Sequence, residues 1–128
     1  MKHTTVTTTE ELKAAIRARW TEKQFSDAVR DLAHLHGWHV AIFRCVAVHR
    51  RNGSVYYQTP VGADGAGWPD HYMLRGEQQL VAELKVGSNK TTPEQEKWLA
   101  WFGDARVPAY VWYPNMWTTI EEILGETP

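Results

Sequence analysis

The sequence predicts an α/β fold in which helices flank one mixed central sheet, and three observations carry that reading. Apolar residues recur at helical spacing near both ends and again around residue 98, while short runs between them are rich in β-branched and aromatic residues. A capped helix separates the last two strand-like runs, as a right-handed parallel crossover requires. With 128 residues, 43% apolar and 23% charged, the chain can bury one core, and no repeat or low-complexity segment divides it.

Leu12, Ala15, Ile16 and Arg19 follow a Thr7-Thr8-Thr9-Glu10 start and predict a lead-in helix over residues 1–20, ending near Trp20. Thr21-Glu22-Lys23-Gln24 is a capping box with Trp20 and Phe25 at the staple positions. It opens a second helix whose apolar face is Phe25, Ala28, Val29, Leu32 and Ala33, stopped by Gly37. Trp38 to Val48 is strand-like, and Val55 to Thr59 forms a second short strand after an Asn52-Gly53 hairpin turn. A glycine-rich loop from Pro60 to Pro69 delivers the chain to Asp70 and the strand His71 to Arg75. Gly76-Glu77-Gln78 turns it back into Leu80 to Val86. Thr92-Pro93-Glu94-Gln95 combines an N-cap, a proline at the first helical position and a capping box, and the helix it opens presents Gln95, Trp98, Leu99 and Phe102 on one side. Val107 to Tyr113 is the last strand. After Pro114-Asn115, Met116 to Leu124 closes the chain as a helix with Trp117, Ile120, Ile123 and Leu124 inward.

Composition removes several function classes. No apolar run approaches a membrane span, and Met1-Lys2-His3 followed by threonines lacks the apolar centre of a signal peptide, so a cytoplasmic location, the host cytoplasm if the chain is viral, is the expectation. Cys45 is the sole cysteine, which excludes an intrachain disulfide and a multi-cysteine zinc site. The formal charge of -1 argues against nucleic-acid binding by a uniformly basic surface. Local groups such as His49-Arg50-Arg51, Arg17 with Arg19, and Lys85 with Lys90 are the candidates for that, although each alone is an ordinary solvated face. His34, His36 and His39 cluster in sequence without a paired carboxylate or ligand spacing, and are read as surface or helix-end residues. Most of the seven tryptophans belong to the core, leaving one or two, such as Trp101 or Trp117, for an interface.

The stretch from Gly67 to Lys85 is the most informative. A turn ending in Asp70 precedes a strand on which Glu83 and Lys85, two apart, leave one face while Ala82, Leu84 and Val86 leave the other. A carboxylate and a lysine on an otherwise apolar strand, with a second carboxylate one turn upstream, have the layout of a divalent-metal site for phosphodiester hydrolysis. Each residue also has a plainer reading. Asp70 suits a turn after proline, Glu83 and Lys85 suit a salt bridge on a solvated sheet face, Glu22 favours a helix N-terminus, and Gln95 is a capping glutamine.

Taken together and in order, these residues resemble the PD-(D/E)xK nuclease superfamily, and within it the small stand-alone VRR-NUC domains of bacteriophage type, which are similar to Holliday-junction resolvases. Glu22 on an early helix, Gly67 to Asp70, Glu83 with Lys85, Thr92 with Gln95, and Trp112-Tyr113-Pro114 carry the likeness, over roughly Glu22 to Leu124. It implies a restriction-endonuclease-like core of αβββαβ order, with residues 21–125 as the nuclease domain after the lead-in helix. It also implies a Mg²⁺- or Mn²⁺-dependent endonuclease acting on DNA, branched DNA above all, as a homodimer. Asp70, Glu83 and the Leu84 carbonyl would hold the metal, because oxygen donors suit these ions, and Glu22 could reach a second metal or hold a metal-bound water. Lys85 would orient or deprotonate the attacking water or stabilise the phosphoryl group, and Gln95 would position substrate or water. Arg50, Arg51, Lys90 and His71 are the nucleic-acid-binding candidates. The family usually has an apolar residue at the position of His71, which could contact substrate or metal-bound water or merely face solvent. A general duplex-nicking or degradative nuclease and a non-catalytic binding module of a replication or packaging assembly are the competing readings.

Overall fold

Two capping boxes fix the helices that frame the sheet in the computed structural model, which describes residues 8–58 and 60–127. The reading of Met1 to His3, the Thr7 start and Thr59 at the end of the second expected strand lie outside the described residues. Helix α1 spans Thr9–Ala18, capped by Thr8, whose hydroxyl accepts the Glu11 N–H at 3.1 Å. It buries none of its residues, and Leu12 and Ile16 stay more than half exposed. Helix α2 spans Glu22–Leu35. The Thr21 hydroxyl accepts the Gln24 N–H at 3.1 Å, and the Gln24 side chain accepts the Thr21 N–H at 2.9 Å. Such a reciprocal cap is worth ~1 kcal/mol. Trp20 stacks on Phe25 with ring centroids 6.0 Å apart, closing the staple.

Among the described residues six strands follow: β1 His39–Ile42, β2 Val46–His49, β3 Val55–Gln58, β4 His71–Arg75, β5 Gln78–Leu84 and, after helix α3 Pro93–Asp104, β6 Ala109–Trp112. A 3₁₀ turn at Pro114–Met116 leads into α4, Trp117–Gly125. The main sheet has four strands in the order β1-β4-β5-β6. Its first two junctions are antiparallel, and β5 with β6 is parallel across the α3 crossover, so the sheet is mixed. The mixed α/β class expected from sequence is therefore present.

The strand-like run Trp38 to Val48 differs from expectation, because it divides between two sheets. β1 ends at Ile42, which pairs with His71, the first residue of β4. The pairing is prolonged by one bond, from the Phe43 N–H to the Asp70 carbonyl at 2.8 Å. The chain then leaves to form a separate two-stranded ribbon of β2 and β3. Its turn is a three-residue loop rather than a two-residue Asn-Gly turn. The Gly53 N–H bonds the Arg50 carbonyl at 3.0 Å, and Gly53 then adopts a φ of +87° that suits glycine alone. The β4–β5 connection is tighter than expected: Arg75 pairs directly with Gln78, so Gly76 and Glu77 make a two-residue turn and Gln78 already belongs to the strand.

Alternation along β5 sorts the two layers. Leu80, Ala82 and Leu84 join Phe25, Val29 and Ala33 of α2 and Ile120 and Leu124 of α4 in the core, with Met73 and Trp112 from the neighbouring strands. Burying a side chain such as Phe25 or Ile120 contributes ~1.5–3 kcal/mol. The Trp38 indole donates to the Leu124 carbonyl at 2.8 Å, tying the last helix to the start of β1. Glu83 belongs to the opposite face, where α3 lies across β5 and β6. Among the described residues no helix is long and apolar enough to cross a membrane.

Candidate functional site

Asp70 and Glu83 meet because β4 starts where β5 ends. His71 pairs with Ala82, so the residue before β4 faces the residue after Ala82 across the antiparallel junction. The Asp70 N–H donates to Glu83 Oε2 at 3.1 Å, and the Leu84 N–H donates back to Asp70 Oδ1 at 3.1 Å. The Glu83 carboxylate is thus held by the Asp70 backbone, and the Asp70 carboxylate by the backbone of Leu84, the residue after Glu83, at the end of a parallel-paired strand. Burial first, and the Asp70 charge second, push the Glu83 carboxyl up to about 7, against the opposing pull of the Lys85 ammonium and the Asp70 N–H. Glu83 is only 4% exposed. A group so desolvated beside another anion is short of positive charge.

Lys85 and Gln95 supply what the protein itself provides. Lys85 Nζ stands 3.4 Å from Glu83 Oε1, and Gln95 Nε2 donates to the same oxygen at 2.8 Å. The Gln95 side-chain oxygen meanwhile accepts the Thr92 N–H at 2.9 Å. One amide therefore serves both readings of this residue, capping α3 and fixing Glu83. The turn before Asp70 sets where that helix begins. Gly67 has a φ of +85°, and a Cβ there would stand 2.4 Å from the Glu94 carbonyl carbon and 2.6 Å from the Gln95 nitrogen. No real side chain tolerates that approach, so the turn docks directly on the first turn of α3.

These groups open into a cleft of about 360 Å³, bounded by Asp70, Glu83, Lys85 and Gln95 and, from the α2 side, by Glu22 and Ser26. Glu22 reaches the cleft as expected, from the first turn of its helix. Yet among the described residues no three Asp, Glu, His or Cys side chains converge as a metal-holding group, so Glu22 does not complete one with Asp70 and Glu83. The donor set still suits a hard cation. Two carboxylates on one edge, one of them starved of counter-charge, match an ion that binds through one or two carboxylates and retains several waters.

His71 departs most from expectation. It neither faces solvent nor offers a surface to nucleic acid, being 1% exposed. As the first residue of β4 it falls on the same face as buried Met73, and alternation turns it toward α2. Its ring lies between Asp70 Oδ1, 2.7 Å from Nδ1, and Ser26 Oγ, 2.9 Å from Nε2. Arg50 and Arg51 lie exposed at the tip of the ribbon, and Lys90 is exposed on the connection between β5 and α3. Trp117 is half-buried against the core, as its inward place on the last helix predicts, and meets Trp20 edge-on at 5.3 Å. Trp101 is half exposed.

Sequence reasoning missed Ser26, Arg44 and Trp68 on the cleft wall. Ser26 lies four residues after Glu22, on the same helical face, which is a legible signal. Trp68 packs edge-on against Phe43, Trp98 and Phe102 at 5.9, 5.0 and 5.2 Å, and Trp98 in turn donates to the Asp64 carbonyl at 3.0 Å. This aromatic block braces the glycine loop against α3. In comparisons with family models, curated proteins and solved structures, no match to the chain was found.

Proposed function

We propose that the protein is a divalent-metal-dependent DNA endonuclease with a restriction-endonuclease-like core, of the VRR-NUC kind, acting on branched DNA. The observation that carries this reading is the anchoring of Glu83 on the Asp70 N–H and of Asp70 on the Leu84 N–H, beside Lys85, on the wall of one cleft. Asp70 and Glu83 would hold Mg²⁺ or Mn²⁺, joined by the Leu84 carbonyl, which leaves β5 on the same strand edge as the N–H bound to Asp70. Such an ion, when bound, acidifies water, neutralises phosphoryl charge and assists the leaving oxygen.

The chain's own residues do the rest. Lys85 carries a positive charge to the attacked phosphoryl group from beside Glu83, in surroundings where a charge counts for more than in water. Gln95 keeps Glu83 in one rotamer, so little reorganisation is needed on substrate binding. Glu22 borders the same cleft and suits a water-holding role.

Substrate grip belongs to the ribbon. No Asp or Glu occurs from residue 32 to residue 63, and this span carries Arg44, Arg50 and Arg51. Arg44 and Cys45, which border the cleft, run straight into β2. A two-stranded ribbon rooted at the cleft rim and tipped with arginine fits against a duplex backbone or into its major groove. Lys90 offers a further phosphate contact. A homodimer supplies the second centre that paired cuts in a junction require, with half-exposed Trp101 as an anchor.

Incubation of pure protein with labelled four-way junctions, flaps and linear duplex, with Mg²⁺, Mn²⁺ or a chelator, tests the proposal. Metal-dependent cutting of junctions ahead of duplex is the expected outcome. Equal rates on all substrates point to a general nicking nuclease, and cleavage that survives chelation or Asp70→Asn sinks the mechanism. Light scattering should give a dimer at micromolar concentration, reduced to a monomer by Trp101→Lys.

A further inference from the structure

We infer that His71 is a positioning residue for the metal site, locking the Asp70 carboxylate through its Nδ1–H while Ser26 locks His71 from the other side. The inference rests on the reading of Asp70 as a ligand. A histidine directly after the turn has no obvious place in a buried β-strand, and here it stands among apolar neighbours such as Met73 at 1% exposure. Both ring nitrogens nonetheless have partners at short distance, Asp70 Oδ1 at 2.7 Å and Ser26 Oγ at 2.9 Å.

The direction of each bond follows from chemistry. An ionised Asp70 has only acceptors, so the hydrogen on that contact belongs to Nδ1. In the neutral ring Nε2 then has a lone pair, which accepts the Ser26 O–H. Ser26 comes from α2 and is itself buried, so the chain of bonds runs from helix to strand to ligand. Asp70 Oδ1 also accepts the Leu84 N–H at 3.1 Å. Two donors from different strands therefore converge on Oδ1, fix the carboxylate plane and leave Oδ2, which has only a longer 3.3 Å contact with the Leu84 N–H, as the oxygen free to bind an ion. In a carboxylate ligand without such support, the rotamer must be frozen on binding, which weakens affinity.

Two substitutions separate the bonds. In His71→Asn the side-chain amide falls near the place of Nδ1 and can still donate to Asp70, without reaching Ser26. In His71→Gln it falls near the place of Nε2 and reaches Ser26 without serving Asp70. The probe is Mn²⁺ alone, titrated into the full chain and followed by electron paramagnetic resonance of the free ion, with urea unfolding as the control for folding.

Outer partners of metal ligands are worth ~10–100-fold in metal affinity. His71→Gln and His71→Leu should weaken Mn²⁺ binding by about that factor, whereas His71→Asn should stay within about threefold of wild type at a similar loss of stability. Equal weakening by Asn and Gln, or wild-type affinity in Leu, overturns the inference while leaving the metal site in place. A wild-type protein that takes up no Mn²⁺ overturns the metal site itself, and this inference falls with it. If the Leu variant does not fold, the Asn and Gln pair still decides, because both introduce the same amide.

Discussion

The carboxylate cleft and the β2–β3 ribbon are neighbours in sequence and opposites in construction. At the cleft both carboxylates have their orientation fixed from other elements: Glu83 by Gln95 and the Asp70 backbone, Asp70 by Leu84 and His71. On the ribbon, Ala47, His49, Val55 and Tyr57 form one face, and all four are exposed. Arg50 leans on its own ribbon, its guanidinium lying 4.4 Å from the centroid of the Tyr56 ring. An isolated two-stranded ribbon is marginal in water, whereas a braced site loses little entropy when it acts. Under the proposed function the contrast is a division of labour: chemistry would fall to the part held from several sides, and contact with nucleic acid to the exposed ribbon.

The sharpest way to break this contrast is to damage the cleft without unfolding the protein. Asp70→Asn should lower cleavage by at least ~10³-fold, since an ion is worth several kcal/mol of transition-state stabilisation, while circular dichroism stays that of wild type. Glu83 should display the opposite side of the same design in its pH dependence. Its folded pKa is raised, so below pH 4.5 the residue is neutral in both states and imposes no penalty. As pH rises through 4.5 toward 7 the unfolded chain ionises first, and metal-free protein should lose about 3 kcal/mol of stability by pH 8. Glu83→Gln should flatten that curve in urea titrations, making the variant more stable at pH 8 and inactive. A flat wild-type curve would mean that Glu83 is not held desolvated.

Smaller effects sharpen the boundary between the two regions. Gly67→Ala should cost about 1–3 kcal/mol and move α3 away from Glu83, because the new Cβ meets helix backbone rather than a flexible side chain. Its melting temperature and its cleavage rate should fall together. Replacing Arg50 and Arg51 with alanine should do neither. The expected result is a ~10-fold rise in KM with kcat unchanged, stability within ~0.5 kcal/mol, and a logarithmic salt slope of binding shallower by about one for each phosphate no longer neutralised. A loss of kcat in that variant would show that the ribbon belongs to the catalytic unit.

What could be read from the sequence follows the range of the forces involved. Both capping boxes were legible because Thr21 with Gln24, and Thr92 with Gln95, interact over three residues. Asp70, Glu83, Lys85 and Gln95 were legible as a set, and the structure brings them together. The end of β1 was not legible, since it depends on where β4 begins, far along the chain at His71. The fate of His71 was hidden for a similar reason. A histidine stands where the resembled family has an apolar residue, and its pairing with Ala82 is what turns it to the core face and to Ser26. Exposure of the ribbon is not legible in its sequence, because Val46, Val55 and Tyr57 have the composition of a covered strand.

The aromatic block beside the cleft gives the molecule its own optical reporter. Trp68 touches the cleft, and Trp98 lies 5.0 Å from both Trp68 and Trp101 at steep interplanar angles. Indoles this close exchange excitation, so their near-ultraviolet circular dichroism and emission colour depend on how they are stacked. An occupant that displaces Trp68 or the first turn of α3 should alter that coupling, which would make site occupancy readable in an unlabelled protein.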